Sequence, residues 1–206
     1  MTKVRVCGFS VSLDGFAAGP EQSLEYPLGK RGQELFQWFF GTKTFRAMTG
    51  KEGGASGTDE RYAAAAMAGF GAFILGRNMF GPVRGEWPDD KWKGWWGDNP
   101  PYHAPTFILT HHPRAPIEME GGTTFHFVTD GIESALAQAR AAAGDLDVKI
   151  GGGVSTVRQY LQAGVVDEMH LAISPVMLGK GENLFAELDL PAMGFSVVES
   201  TPSEHA

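Results

Sequence analysis

Three consecutive glycines, Gly151, Gly152 and Gly153, stand between an apolar run that ends at Ile150 and an amphipathic stretch that begins at Val154. Val148 and Ile150 carry the β-branched character of a buried strand. Val154, Val157 and Leu161 recur at helical spacing, which predicts a helix over 154–162 with Gly164 past its end. A chain that passes from strand to helix through glycine alone presents bare backbone amides at a helix N-terminus, a geometry suited to a phosphate group. A strand-to-helix turn that needs glycine only for packing has the same sequence, so both readings stand at this point.

The rest of the chain repeats this alternation. Strands are expected at 4–11, 71–76, 106–110, 124–129, 148–151, 170–174 and 195–199, and helices at 32–40, 59–68, 131–143 and 154–162. Thr58 or Asp59 and then Asp130 are the expected N-caps of the second and third helices. Strands alternating with helices predict an α/β fold with a largely parallel sheet. The 206 residues carry neither repeats nor low-complexity linkers, so one domain over 1–206 is expected. Residues 81–105 break the pattern, with Trp87, Trp92, Trp95 and Trp96 among prolines, glycines and alternating charge. An aromatic loop of this length is expected to be functional, a packing cover or a dimer contact.

Composition removes several classes of function. A formal net charge of -7 argues against nonspecific nucleic-acid binding, so any phosphate site must be locally basic. The single cysteine, Cys7, cannot form an intrachain disulfide or a thiolate metal cluster, and the histidines His103, His126 and His170 are scattered, so no metal site is expected. No signal-peptide pattern and no apolar run long enough for a membrane span are seen, and a cytoplasmic location is expected. A complete P-loop, a full Gly-x-Gly-x-x-Gly fingerprint, a zinc-protease His-Glu pair and a serine-hydrolase elbow are all missing.

What remains is a set of strand ends. Gly76-Arg77 follows one strand, Thr110-His111 another and the glycine run a third. In an open α/β sheet the ligand lies beyond the carboxyl ends of the strands, so these segments can converge on one dinucleotide. Arg77 then offers a planar fork to a phosphate; a plain surface arginine is the alternative.

The segments Ser12-Leu13-Asp14-Gly15-Phe16-Ala17, Leu75-Gly76-Arg77-Asn78-Met79-Phe80, Ile150-Gly151-Gly152-Gly153 and Val176-Met177-Leu178-Gly179-Lys180-Gly181 occur in the order found in dihydrofolate reductase-like proteins. The closer resemblance is to the C-terminal reductase domain of bifunctional riboflavin-biosynthesis enzymes, over nearly the whole chain. It implies a three-layer αβα fold, NADPH as hydride donor, a small pteridine-like or aminopyrimidine-like substrate and a homodimer. The resemblance maps cofactor contacts onto Gly76, Arg77, Thr110, His111, Gly151, Gly152 and Gly153, with Arg77 favouring the 2′-phosphate and Arg114 adding charge. It places Met79 where the family usually offers a threonine, and it implies a cis bond in the glycine run, expected between Gly151 and Gly152. Glu34 and Trp38 reproduce the spacing of the acid and aromatic of folate reductases, one helical turn apart on one face. Asp14 is the rival candidate, with holding a turn as its structural alternative. A noncatalytic nucleotide-binding protein and an interaction module built on the Trp-rich loop are the competing functional readings. The deaminase cysteines are missing, so both riboflavin steps are not expected of this chain.

Overall fold

The computed structural model describes residues 2–82 and 84–206. Strand β1 (Val4–Ser12) is followed by the short β2 (Phe16–Ala18), a 3-10 turn over Gly32–Phe36, and helices α1 (Gln37–Phe40), α2 (Lys43–Met48) and α3 (Thr58–Ala65). Then come β3 (Phe70–Gly76), α4 (Arg77–Phe80), β4 (Pro105–Leu109), β5 (Ile117–Glu118), β6 (Thr124–Val128), α5 (Ile132–Ala143), β7 (Asp147–Gly152), α6 (Val154–Gln162), β8 (Glu168–Ser174) and β9 (Glu182–Asn183). The fold is α/β. Seven strands form a sheet in the order β5-β6-β4-β3-β7-β1-β8, and β2 pairs with β9 in a separate antiparallel pair. The ladders β1 to β7, β7 to β3, β3 to β4 and β4 to β6 are parallel, while the two-residue β5 runs antiparallel to β6. No helix among the described residues is long and apolar enough to cross a membrane.

The chain divides into two compact units. One comprises the chain up to Cys7, Gly69–Tyr160 and Val165–Met169; the other comprises Gly8–Ala68, Leu161–Gly164 and His170–Ala206. In the first unit Ala72, Phe73, Ile74 and Leu75 are all buried, as a central parallel strand covered on both faces requires. Phe73, Ile74 and Leu75 each contribute about 1.5–3 kcal/mol of burial, and Ala72 less. Helix α5 lies over β3, β4 and β7 with Ala135, Leu136, Ala139 and Ala143 inward, a helical stripe of mostly small residues that permits close approach. In the second unit Leu35, Trp38 and Ala63 are buried; Trp38 Nε1 donates to Ser10 Oγ at 2.8 Å, and Ser174 Oγ donates to the Leu35 carbonyl at 2.7 Å. These bonds satisfy polar groups that burial strands away from water.

Several expectations are corrected. Residues 195–199 alternate like a strand but form none, and Val197 and Val198 are 86% and 95% exposed. A strand needs a neighbour, and this segment is paired with no edge. The expected helix over 32–40 begins as a 3-10 turn, and the third helix starts after Gly131, at φ 96°, with no side-chain cap from Asp130. Helix α3 likewise has Gly57 at its cap position instead of Thr58 or Asp59, and it makes no side-chain cap bond.

Candidate functional site

In the first unit the parallel ladders align three strand ends. Gly76 pairs with Leu109 and Leu75 pairs with Gly152, so the chain leaves β3 as Arg77, β4 as Thr110 and β7 as Gly153 along one edge. Arg77 Nη1 donates to Thr110 Oγ1 at 3.0 Å, and Nη2 donates to the Gly85 carbonyl at 3.4 Å. Thr110 is fixed in turn: its amide donates to the Val128 carbonyl at 3.0 Å, and its Oγ1 accepts the His112 amide at 3.2 Å. Burial, and then the charge of Arg114, lower the Arg77 pKa to about 10. A guanidinium that is partly stripped of water and faces a like charge favours an anionic neighbour.

Gly76 is required by contact. A Cβ there would lie 2.4 Å from Thr156 Oγ1 in α6 and 3.3 Å from the Gly153 amide, so its absence lets β3 close on the start of α6. A Cβ on Gly153, by contrast, would meet nothing within 4 Å, which leaves its backbone open on that side. The first amides of a helix have no partner within it, and Val157 is the first here to bond back, to the Gly153 carbonyl at 3.0 Å. Gly76, Arg77, Thr110, Gly152 and Gly153 are thus brought together. Gly151 lies in β7 at the irregularity between the Ile74–Ile150 and Leu75–Gly152 pairs, and His111 is exposed and takes no part in these contacts.

The cis bond lies between Gly152 and Gly153, not between Gly151 and Gly152. Strand β7 extends through Gly152, which pairs with Leu75, so the chain leaves the strand one residue later than expected. Met79 does not line this edge. It packs on the cluster of Leu75, Phe80, Ile108 and Phe125, and this core contact accounts for an apolar residue at that position.

The Trp-rich segment covers that same cluster, with Trp87 and Trp92 packed against it. Its indole N–H groups are bonded to backbone carbonyls: Trp87 to His112 at 2.9 Å, Trp92 to Phe80 at 2.8 Å and Trp95 to Asn78 at 3.2 Å. A buried indole commonly needs such an acceptor. Trp87 also lies against the site, with Arg77 Cζ 3.0 Å from its ring centroid. Sequence reading singled out the segment but not this contact, because the partners of each indole are distant in the chain or are main-chain atoms.

The two candidate acids lie in the second unit, and each is occupied. Asp14 Oδ1 accepts from Ser12 Oγ at 2.6 Å and from the Leu178 amide at 3.0 Å, while Oδ2 accepts from the Gly179 amide at 2.7 Å. The Ser12 hydrogen bond, with the two amide bonds behind it, holds the Asp14 pKa below the usual carboxylate value. Glu34 forms a two-pronged pair with Arg31, with Nε to Oε1 at 2.8 Å and Nη2 to Oε2 at 2.9 Å. That hydrogen bonding, helped by the arginine's charge, lowers its pKa as well. Glu34 and Trp38 are not equivalent in exposure: the Glu34 side chain is 41% exposed and Trp38 only 3%. Three residues per turn through Phe36 rotate Glu34 away from the buried face that Trp38 occupies.

The family profile of the RibD C-terminal domain matches residues 4–204. The chain belongs to that family. A crystal structure of a protein from Shewanella sp. PV-4, provisionally ascribed to riboflavin biosynthesis, superposes with a TM-score of 0.53 at 23% identity, covering 92% of this chain and 85% of the other. The Thermotoga maritima diaminohydroxyphosphoribosylaminopyrimidine deaminase/5-amino-6-(5-phosphoribosylamino)uracil reductase is similar at 17% identity and a TM-score of 0.48, over 98% of this chain and 51% of that one. The uncharacterized protein YyaP of Bacillus subtilis strain 168 is 34% identical over 62 residues, 30% of this chain and 32% of YyaP. The match therefore spans about a third of that relative's length.

Proposed function

We propose that the protein is an NADPH-dependent reductase of a small heterocyclic substrate, pteridine-like or aminopyrimidine-like, with chemistry akin to 5-amino-6-(5-phosphoribosylamino)uracil reduction. The observation that carries this reading is the alignment of three parallel strand ends, which sets the Arg77–Thr110 pair beside the open backbone of Gly153 and the first amides of α6. A cationic fork, a hydroxyl and bare amides suit a ligand with several phosphates. Membership of the RibD C-terminal family supports a reductase of the riboflavin type.

In this reading Arg77 and Thr110 hold the adenosine end of the cofactor, and Gly153 with the α6 amides holds the pyrophosphate. The nicotinamide cofactor supplies the hydride. The substrate must also gain a proton at the neighbouring atom. Asp14 and Glu34 are both held ionised by their hydrogen bonds, so neither carries a proton to give at neutral pH. The reading therefore takes the proton from water and leaves Asp14 to shape the Ser12–Phe16 turn, where Ser12 Oγ also accepts the Phe16 amide at 2.9 Å. A homodimer belongs to the same proposal and is checked by light scattering.

The occupied state of both carboxylates also favours a second reading, a noncatalytic nucleotide-binding protein of the same fold. One experiment separates them: fluorescence titration with NADPH and NADH, followed by NADPH oxidation over a panel of pterins, folates and aminouracils. Oxidation with any of these substrates establishes the reductase, while binding without turnover across the panel favours the second reading. No binding of either cofactor removes both.

A further inference from the structure

The sequence holds two Asp-Gly pairs, Asp14-Gly15 and Asp130-Gly131, and the fold treats them in opposite ways. An aspartate followed by glycine is open to attack on its side-chain carbonyl by the next backbone nitrogen, because glycine has no side chain to hinder the approach. At Asp14 both reactants are engaged. The carboxylate accepts from Ser12 Oγ and from the Leu178 and Gly179 amides, and the Gly15 amide donates to the Ser12 carbonyl at 2.9 Å. Gly15 is buried, and a Cβ there would lie 3.0 Å from Asn183 Nδ2. The lowered pKa of Asp14, set first by the Ser12 hydrogen bond, also keeps it from the protonated form that can lose water.

Asp130-Gly131 lies in the connection from β6 to α5, and there neither reactant is engaged. Thr129, Asp130 and Gly131 are all exposed. Among the described residues the Asp130 carboxylate accepts no hydrogen bond and the Gly131 amide donates none. Gly131 has a φ of 96°, and a Cβ there would meet nothing within 4 Å, so the backbone has room to turn.

We propose that Asp130-Gly131 is a site of isoaspartate formation and that the clasp on Asp14 protects Asp14-Gly15 from the same reaction. The Gly131 nitrogen bonds to Asp130 Cγ, and the carboxyl hydroxyl leaves as water, taking the amide proton, which closes a succinimide ring. Water then adds to one of the two ring carbonyls. Opening at Cγ restores aspartate, while opening at the backbone carbonyl leaves Gly131 attached through the Asp130 side chain. One water leaves and one enters, so the mass is unchanged and neither an oxidant nor a reductant takes part. The product lengthens the β6–α5 connection by one backbone atom and leaves a free α-carboxylate ahead of α5. This modification is independent of the cofactor reading.

The test holds the full chain at physiological temperature and neutral pH for several weeks, folded in buffer and, in parallel, unfolded in guanidinium chloride. Isoaspartate is read peptide by peptide, by methyl transfer from S-adenosylmethionine with an isoaspartyl methyltransferase and by the fragment ions of electron-transfer mass spectrometry. In the folded chain the site at Asp130 should convert at least about tenfold faster than the site at Asp14, which reacts only when its clasp opens. In guanidinium chloride the two should convert within about threefold of each other. Ser12→Ala, which removes one donor, should raise conversion at Asp14 in the folded protein and leave Asp130 unchanged. Asp130→Glu, whose larger ring closes far more slowly, should nearly abolish the signal at that site. Equal conversion of the two sites in the folded chain overturns the proposal, as does an Asp130 site that stays unconverted when folded. A tenfold gap that persists in guanidinium chloride assigns the difference to local sequence and overturns the role of the clasp. If Ser12→Ala does not fold, the comparison of folded and unfolded wild type decides.

Discussion

The parallel sheet of the first unit with its strand ends, and the turn region of the second, each hold ionisable groups with lowered pKa values, for opposite reasons. Arg77 and Lys149 are lowered to about 10 and about 8, first of all because burial removes water from a charged group. Asp14 and Glu34 are lowered first of all by hydrogen bonds that favour the charged form. In one region the fold works against the charge it holds; in the other it completes it. A partly desolvated charge is what a ligand can stabilise, whereas a carboxylate with three donors has little left to offer.

The largest effect expected from this contrast concerns Lys149, nearly fully buried in β7. Its folded pKa lies below its unfolded value near 10.5, so below about pH 8 both states are protonated and the fold bears the whole cost. Between about pH 8 and 10.5 the unfolded chain binds more protons, so stability rises with pH across that window. Lys149→Met should therefore be more stable than wild type at pH 7 by roughly 1–3 kcal/mol, with the gap shrinking toward pH 10. Urea unfolding of both proteins at several pH values measures it, and a gap that widens with pH would contradict the burial argument.

Next in size is Arg77→Ala, expected to weaken NADPH by roughly 1–3 kcal/mol more than NADH. Equal weakening of both cofactors would sink the 2′-phosphate assignment. Gly153→Ala comes third. Beyond its chain neighbours its methyl meets nothing within 4 Å, so it should change the unfolding curve little yet weaken cofactor binding by about tenfold, close to 1.4 kcal/mol. Unaltered affinity would place the ligand elsewhere. Gly152 is a poorer probe, because its φ of 121° strains any side chain before a ligand is considered. The smallest effect belongs to Glu34→Gln, which should leave kcat and its pH profile unchanged. A collapse of activity there would break the contrast by making Glu34 the acid.

The sheet was legible because β-branched and aromatic runs such as Phe73–Leu75 between glycines have few alternatives, and the helix over 154–162 shows its buried face at Val154, Val157 and Leu161. The order of Gly76-Arg77, Thr110 and the glycine run was enough to place three strand ends on one edge. The rest depends on partners that spacing does not reveal. Glu34 matched a helical acid by count, but the 3-10 turn and the nearby Arg31 gave it another use. Residues 195–199 had a strand's alternation without a strand's neighbour. Arg114 was visible only as added charge, since the indole it shares with Arg77 lies in a loop with no periodicity.

The Asp14 clasp has a consequence for how the protein is made. Leu178 and Gly179, whose amides hold its carboxylate, and Asn183, whose side chain donates to its carbonyl at 3.2 Å, follow Asp14 by 164, 165 and 169 residues and are made long after it. The unit that contains Asp14 draws on both Gly8–Ala68 and His170–Ala206, while the first unit takes most of its residues from the continuous stretch Gly69–Tyr160. During synthesis the middle of the chain can therefore close on itself while Asp14 still waits for its donors. A chain released after Gly164 would hold all of β3, β4 and β7 but an Asp14 still hydrated, since the amides that clasp it come later in the chain.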